Sequence, residues 1–306
     1  MTLQELKFVV ALAEARHFGR AAKMCFVSQP TLSIAVRKFE KELGITLFER
    51  DKSDIRITSL GREVVQRAKQ VLAEVDGIQQ VVQFDQNQLS GMLKLGVIYT
   101  VGPYLLPPLI TQLNQIAPQM SCDIIEDYTA NLREKLKTGD VDVIVVSLPF
   151  AEPGVLTRIL YEEPFVVLMP QDHPLAQFDK IHQKELSRYN MLMLGDGHCF
   201  KDQVIASCPM CFSGHVGAGL SWHTVAGSSL ETIRHMVAAK MGITVLPATA
   251  AMSGPYQGNM LTTRPLLASH SHRTIVLAWR KTYPRVMAVE TILQAVKQSA
   301  LGGINR

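Results

Sequence analysis

With 306 residues, 47% of them hydrophobic and 19% charged, the chain is long enough for two domains and too long for one comfortable core, and its composition excludes a disordered or fibrous protein. Its apolar runs, such as Val143–Val146 and Phe165–Met169, are strand-sized, short of the roughly 18 residues that span a bilayer. The formal charge of +4 is unevenly placed: residues 1–62 hold eleven basic and seven acidic side chains, whereas the remainder is balanced at twenty against twenty. Such an asymmetry suggests a small module that meets a polyanion, joined to a larger neutral body.

The opening MTLQELKFVVALAEAR is not read as a signal peptide, because Glu5 and Glu14 bracket its apolar segment and its apolar positions recur at helical spacing. A cytoplasmic protein with no membrane association is expected. Leu6, Val9, Val10 and Ala13 share a face of a first helix, which His17-Phe18-Gly19 brings to an end. A short second helix turns Ala21, Ala22 and Cys25 inward. Ser28 then caps a third helix with Pro30 in its first turn; Leu32, Val36, Phe39 and Leu43 form its buried stripe and Gly44 closes it.

The other face of that third helix presents Gln29, Pro30, Thr31, Ser33, Arg37 and Lys38, residue types that read base edges and phosphates from a major groove. Two short strands, Ile45–Phe48 and Ile55–Thr58, enclose a loop carrying Arg50, Lys52 and Arg56. A wing of this kind places cations on phosphates or in a minor groove. Residues 1–58 therefore read as a winged helix-turn-helix, with double-stranded DNA as the partner. The alternative is a three-helix protein-interaction module with solvated cations.

A linker helix follows over 59–88. Val64, Ala68, Val71, Val75, Ile78 and Val82 are spaced 4, 3, 4, 3 and 4, a heptad seam that needs a partner helix. The seam predicts a homodimer, and two helix-turn-helix units suit a near-palindromic operator. The competing reading is a helix lying on its own domain. The order of helix-turn-helix, SQPTLSIAVRKFEKELGITLFER, a wing ending in RITSLG and a long helix resembles the LysR-type transcriptional regulators. That resemblance implies an α/β effector domain after the linker, assembly into homotetramers, and RNA polymerase as a partner.

Residues 89–306 read as this regulatory domain. Strands at Met92–Tyr99, Ser121–Asp127 and Val141–Ser147 alternate with helices at Pro103–Ile116 and Asn131–Lys137, an order that argues a parallel sheet. A second set begins at 163–169, and Thr274–Trp279 with Arg285–Val296 returns to the first lobe. Lobe I is thus placed at 89–162 and 268–306, and lobe II at 163–267. The resemblance makes this a two-lobed, periplasmic-binding-protein-like body with a cleft suited to small ligands.

Of five cysteines, Cys25 and Cys122 read as small buried hydrophobes; Cys199, Cys208 and Cys211 cluster in GDGHCFKDQVIASCPMC. Cys199 opens a helix after Gly195-Asp196-Gly197, where unpaired amides favour a thiolate, and His198 adds a donor. Such a thiolate can attack a peroxide oxygen and become a sulfenic acid, which a second thiol must trap. Nine residues of helix rise about 13 Å, beyond the roughly 7 Å a disulfide allows between Cα atoms. Joining Cys199 to Cys208 would therefore require the segment to refold.

GDGHCFKDQ, the cysteine nine residues on and SLETIRHMVAAKMGITVLPA resemble the peroxide-sensing members of the LysR family. The resemblance implies Cys199 as the peroxide-reacting thiolate and Cys208 as its resolving partner, with Thr100, Thr129 and His198 lining a peroxide pocket and Arg273 stabilising the thiolate. Hydrogen peroxide is then the signal, with no cofactor, no metal and no enzymatic turnover expected. Cys211 competes with Cys208 as the resolving thiol. A zinc reading of Cys208, Cys211, His215 and His223 is weaker, because the spacing is loose and the loop rich in Gly and Ser. The alternative function is a LysR-type regulator that binds a small metabolite between the lobes.

Overall fold

The computed structural model describes residues 1–50, 55–84, 88–209, 223–225, 229–252 and 260–304. Lys52, Cys211 and His215 lie outside the described residues, and Arg50, Val82 and His223 are described by backbone alone. The chain divides into an N-terminal unit, Met1–Asn87, and a larger body formed by Gln88–Leu136 and Val141–Arg306.

In the N-terminal unit, α1 (Leu3–Ala15) starts at a capping box in which Thr2 and Glu5 satisfy each other's backbone amides. His17 does not close this helix; its Nδ1 accepts from the amides of Gly19 and Arg20 and so caps α2 (Phe18–Met24). Ser28 caps α3 (Gln29–Leu43) through the amide of Thr31, and Gly44 ends it at φ 69°. Leu32, Val36 and Phe39 are fully buried, whereas Leu43 is exposed because the helix stops beside it. Glu40 Oε1 then accepts from the amides of Leu47 and Phe48, fixing the entry to the hairpin β1 (Phe48–Arg50) and β2 (Ile55–Ile57). The first wing strand thus begins at Phe48, three residues later than the pattern suggested.

Thr58 precedes α4 (Ser59–Phe84), and Gly61 follows closely because a Cβ there would lie 2.4 Å from the Leu47 carbonyl oxygen. The module's core takes in Val65 and Ala68 of α4 together with Leu6, Val9, Leu12, Leu32 and Val36, so it reaches past residue 58. Among the seam positions, Val64 packs on this core and Ala68 is inside it, Val75 is half-buried, and Val71 and Ile78 are exposed. The free part of the stripe therefore starts near Val71.

The larger body begins with β3 (Gly91–Ile98), α5 (Gly102–Ile116), β4 (Met120–Asp127), α6 (Thr129–Thr138) and β5 (Val143–Ser147). β3 pairs in parallel with β4 and with β5, the βαβαβ arrangement expected. The next strand, β6 (Val155–Pro170), runs sixteen residues and starts eight before the expected 163. After β7 (Ile181–His182), α7 (Gln183–Leu186) and β8 (Leu192–Leu194) comes α8 (Cys199–Ser207), then β9 (His223–Val225), α9 (Leu230–Ala238), β10 (Thr244–Pro247), α10 (Ala248–Ala251), β11 (Leu261–Leu267), β12 (His272–Arg280) and α11 (Val286–Gln298).

The main sheet has the order β4-β3-β5-β12-β6-β11-β7, with β10 also pairing β6. β6 pairs with β12 over its first half and with β10 and β11 over its second, so it belongs to both lobes. Two hydrophobic cores result: one around Leu95, Leu105, Val145, Leu277 and Ile292, the other around Val167, Leu192, Val204, Ile233 and Leu246. Among the described residues no helix is long and apolar enough to cross a membrane.

Buried Arg285 closes the first lobe by donating to the carbonyls of Gln88, Ser90 and Met92 at 3.1, 2.8 and 2.8 Å. Arg285→Ala leaves three partly buried acceptors without that donor and removes a charge-assisted set. We expect a loss of about 3 kcal/mol or more in urea unfolding of the protein, with the change seen in the midpoint rather than the slope.

Candidate functional site

Cys199 occupies the first position of α8, and the approach to it is tightly built. Gly197 adopts φ +92°, and a Cβ there would lie 3.1 Å from the Tyr128 ring. His198 precedes the helix with its imidazole 8% exposed, edge-on to Tyr128 at 4.9 Å between centroids and near Tyr99 at 6.1 Å. Burial lowers the His198 pKa from its ordinary 6.5, so the ring is neutral at pH 7.

Cys199, His198, Thr100 and Thr129 line one small recess with Tyr99 and Tyr128, of about 10 Å³, roughly the room a single water-sized molecule needs. The sequence-predicted set is therefore brought together, apart from Arg273. Thr129 Oγ1 is buried and has no hydrogen-bond partner among the described residues. Thr100 Oγ1 accepts from Arg273 at 2.9 Å, which leaves its own hydroxyl proton free to donate.

Arg273 reaches the recess through Thr100. Its three guanidinium nitrogens engage Glu163 Oε1 at 2.7 Å and the Thr100 hydroxyl and carbonyl at 2.9 Å each, and the guanidinium lies 5.1 Å over the Phe200 ring. Both charged side chains of the Arg273–Glu163 pair are 0% exposed. Glu163 Oε2 in turn accepts from the Thr249 hydroxyl at 2.6 Å. Neither Glu163 nor Thr249 stood out in the sequence. The available signal was an acid, Glu163, set against the apolar run Phe165–Met169 of a strand.

α8 bridges the two cores. Nine residues are two and a half turns, so Cys199 and Cys208 fall on opposite faces. Cys199 packs against the first core; Cys208, at the helix C-cap and 1% exposed, lies in the second with Phe200 and Val204. Gln203 ties the Cys199 face to lobe I by donating to Ser147 Oγ and the Leu148 carbonyl at 2.8 and 2.9 Å. Ser207 Oγ binds the carbonyls of Gln203 and His270. Among the described residues no disulfide joins Cys25, Cys122, Cys199 or Cys208. Burial pushes the Cys25 and Cys122 thiols up, as suits small core residues.

A wider groove of about 490 Å³ is lined by Leu148, Phe150, Phe165, His272 and Arg273 together with Gln203 of α8. Among the described residues no group of three or more His, Cys, Asp or Glu could hold a metal ion.

On the N-terminal unit, Gln29, Pro30, Thr31, Arg37 and Lys38 are exposed, Ser33 is half-buried and Arg56 is exposed on β2. Lys38 is drawn toward α1, its Nζ 3.0 Å from Glu5 Oε1, which lowers the Glu5 pKa and raises that of Lys38. Its charge is thus shared with a neighbour, unlike that of a cation held only by solvent.

A winged helix-turn-helix followed by a long helix and a two-lobed body defines a bacterial transcriptional regulator of one architecture. The family model for bacterial regulatory helix-turn-helix proteins of the lysR family matches residues 3–62, and that for the LysR substrate binding domain matches residues 86–301. The chain belongs to the LysR family. It is 37% identical over 297 residues to the DNA-binding transcriptional dual regulator OxyR of Escherichia coli K12, covering 97% of this chain and 95% of that protein. Its fold is similar to full-length OxyR from Pseudomonas aeruginosa carrying a cysteine-to-aspartate substitution, with a TM-score of 0.84, 45% identity and coverage of 100% and 98%. A cysteine-to-serine variant of Corynebacterium glutamicum OxyR, solved with H2O2 bound, matches with a TM-score of 0.61, 30% identity and coverage of 97% and 92%.

The depressed His198 pKa carries a sign for stability. The unfolded imidazole takes up a proton near pH 6.5, and the folded one resists it, so the unfolded state gains protons first as pH falls. We expect the contribution of neutral His198 to be complete above pH 6.5 and to be lost as pH falls toward its folded midpoint. Urea titrations from pH 7.5 to 5 should show this slope in the wild type and a shallower one in His198→Gln.

Proposed function

We propose that this protein is a redox-responsive, DNA-binding transcriptional regulator that senses hydrogen peroxide through Cys199 and locks its response as a Cys199–Cys208 disulfide. The observation that carries the reading is the placement of Cys199 in a recess for one small molecule beside a partnerless hydroxyl, Thr129 Oγ1, with a second thiol at the far end of the same helix. The Thr100 and Thr129 hydroxyls are arranged to hold a peroxide against the sulfur. The neutral His198 imidazole can donate to it or take up its proton. Arg273 positions Thr100 from behind.

The sulfur of Cys199, as thiolate, attacks one peroxide oxygen and the O–O bond breaks. The departing hydroxide leaves as water with a proton, and Cys199 becomes a sulfenic acid. The Cys208 sulfur then attacks the Cys199 sulfur, the S–O bond breaks and a second water forms. Overall, two thiols and one peroxide give one disulfide and two waters. The second step cannot occur on intact α8, so the segment must unwind, and the larger body acquires a second packing that alters DNA binding. The exposed face of α3 and the wing would contact the two half-sites of a near-palindromic operator, and α4 would pair two chains in a homodimer. We assign further pairing to a homotetramer, contact with RNA polymerase and a cytoplasmic setting to the same proposal.

The groove lined by Gln203, His272 and Arg273 supports a second reading, in which a small metabolite bound between the lobes is the signal. One set of variants separates the two. Mild oxidation with about one equivalent of peroxide should remove two thiols per wild-type chain and shift its DNA footprint. Cys208→Ser should stop at a sulfenic acid trapped by dimedone, and Cys199→Ser should do neither. A footprint in Cys199→Ser that still shifts with peroxide overturns the reading, and one that shifts with a small acid alone favours the metabolite.

The seam on α4 makes an independent prediction. Val75→Glu places a carboxylate between two helices and should weaken self-association roughly 100-fold in sedimentation equilibrium, as burial of an unpaired charge would. An unchanged dimer would reject the seam.

A further inference from the structure

The exposed face of α3 holds a residue that its polar neighbours do not explain. Ile34 is 67% exposed. At 3.6 residues per turn it lies about half a turn from the buried stripe of Leu32, Val36 and Phe39, so it stands at the middle of the outward face. Pro30 and Lys38 flank it one turn to either side, and Thr31 and Arg37 lie three residues away, all of them exposed. A lone exposed apolar side chain is ordinary on a protein surface. A branched apolar side chain ringed by a hydroxyl and two cations, in the first two turns of a helix built to enter a groove, is a different arrangement.

We infer that Ile34 reads the 5-methyl group of a thymine in the major groove and so helps to set which operator this protein selects. The inference rests on the DNA-binding reading above and deepens it. In the major groove each base pair displays donors and acceptors, and the thymine methyl is the one apolar feature among them. Arg37, exposed one turn further along the same face, would hold the helix to a phosphate, and Ile34 would face the base edges. Loss of water from its exposed surface is then favourable only where an apolar group meets it, which discriminates thymine from cytosine at the same position. In the sequence alone an apolar residue on a helix reads as core, and the wheel that places Ile34 outside depends on which stripe is buried.

The test uses the full-length protein and a duplex that it selects itself from a randomised pool, with each thymine replaced in turn by uracil. That replacement removes only the methyl and keeps the base pairing. Wild type should lose about fourfold in affinity at one or two thymines of each half-site, the worth of one buried methyl group. Ile34→Ala should bind the thymine duplex more weakly by a similar factor and be indifferent to uracil at those same positions. Ile34→Val should keep the uracil sensitivity. Wild type indifferent to every uracil overturns the inference, as does Ile34→Ala with undiminished uracil sensitivity. Failure to recover any duplex at low salt overturns the DNA-binding reading and this inference with it.

Discussion

Two and a half turns of helix hold the sulfurs of Cys199 and Cys208 on opposite faces of α8, and the larger body is arranged around that separation. Each face of the helix belongs to a different core. Phe200, Val204 and Cys208 are packed with lobe II, whereas Cys199 and Gln203 face lobe I. A helix anchored on one side alone could rotate to bring its cysteines round. One held on both sides can join them only by ceasing to be a helix, which makes the outcome two-state instead of gradual.

The buried Arg273–Glu163 pair supplies the rigid half of this arrangement. It joins β12 to β6, the strand shared between the lobes, and its hydrogen bonds run from Thr249 on α10 to Thr100 in the Cys199 recess. A buried ion pair adds little net stability over an apolar pair of equal size, since desolvation offsets most of the attraction. Its contribution here is placement: Thr100 is fixed from two directions, through its hydroxyl and its carbonyl. Tyr104 on α5 donates to Glu231 at 2.8 Å, and Arg234 donates to the same carboxylate at 3.2 Å and to the Ala250 carbonyl at 2.8 Å. Both of these polar routes between the lobes reach α10.

Much of this was legible in the sequence wherever one residue type has one structural use. Ser28, Pro30 and Gly44 marked both ends of α3, and the buried periodicity between them held except at Leu43, where the helix had already ended. The parallel βαβαβ order and the start of α8 were equally plain. What escaped were features set by long-range packing. The first half of β6 was missed because Leu156 and Ile159 are exposed and its residues do not alternate in burial. His17 was taken as a stop signal when its imidazole is a cap, since one histidine can serve either neighbour. The seam on α4 was read as uniform, yet Ala68 is already spent on the module's own core, and only the tertiary fold says where such a stripe becomes free.

The burial of Cys208 bears on how easily a disulfide switch could be reset. Phe200, Val204 and Cys208 are packed in one core, and a Cys199–Cys208 bond that unwinds α8 would withdraw them from it. Full burial of side chains of this size stabilises by about 1.5–3 kcal/mol each, so the reorganisation costs roughly 5–8 kcal/mol before any repacking of the oxidised form. For a two-electron couple, about 1.4 kcal/mol corresponds to 30 mV, so that cost raises the reduction potential by roughly 100–170 mV. An unstrained structural disulfide lies below about −300 mV and resists the cytosolic thiol pool; the same bond shifted by this amount falls where common dithiols reduce it. The packing that keeps the thiols apart thus also makes their bond reversible. A looser α8 would oxidise more readily, and the disulfide it formed would be harder to undo.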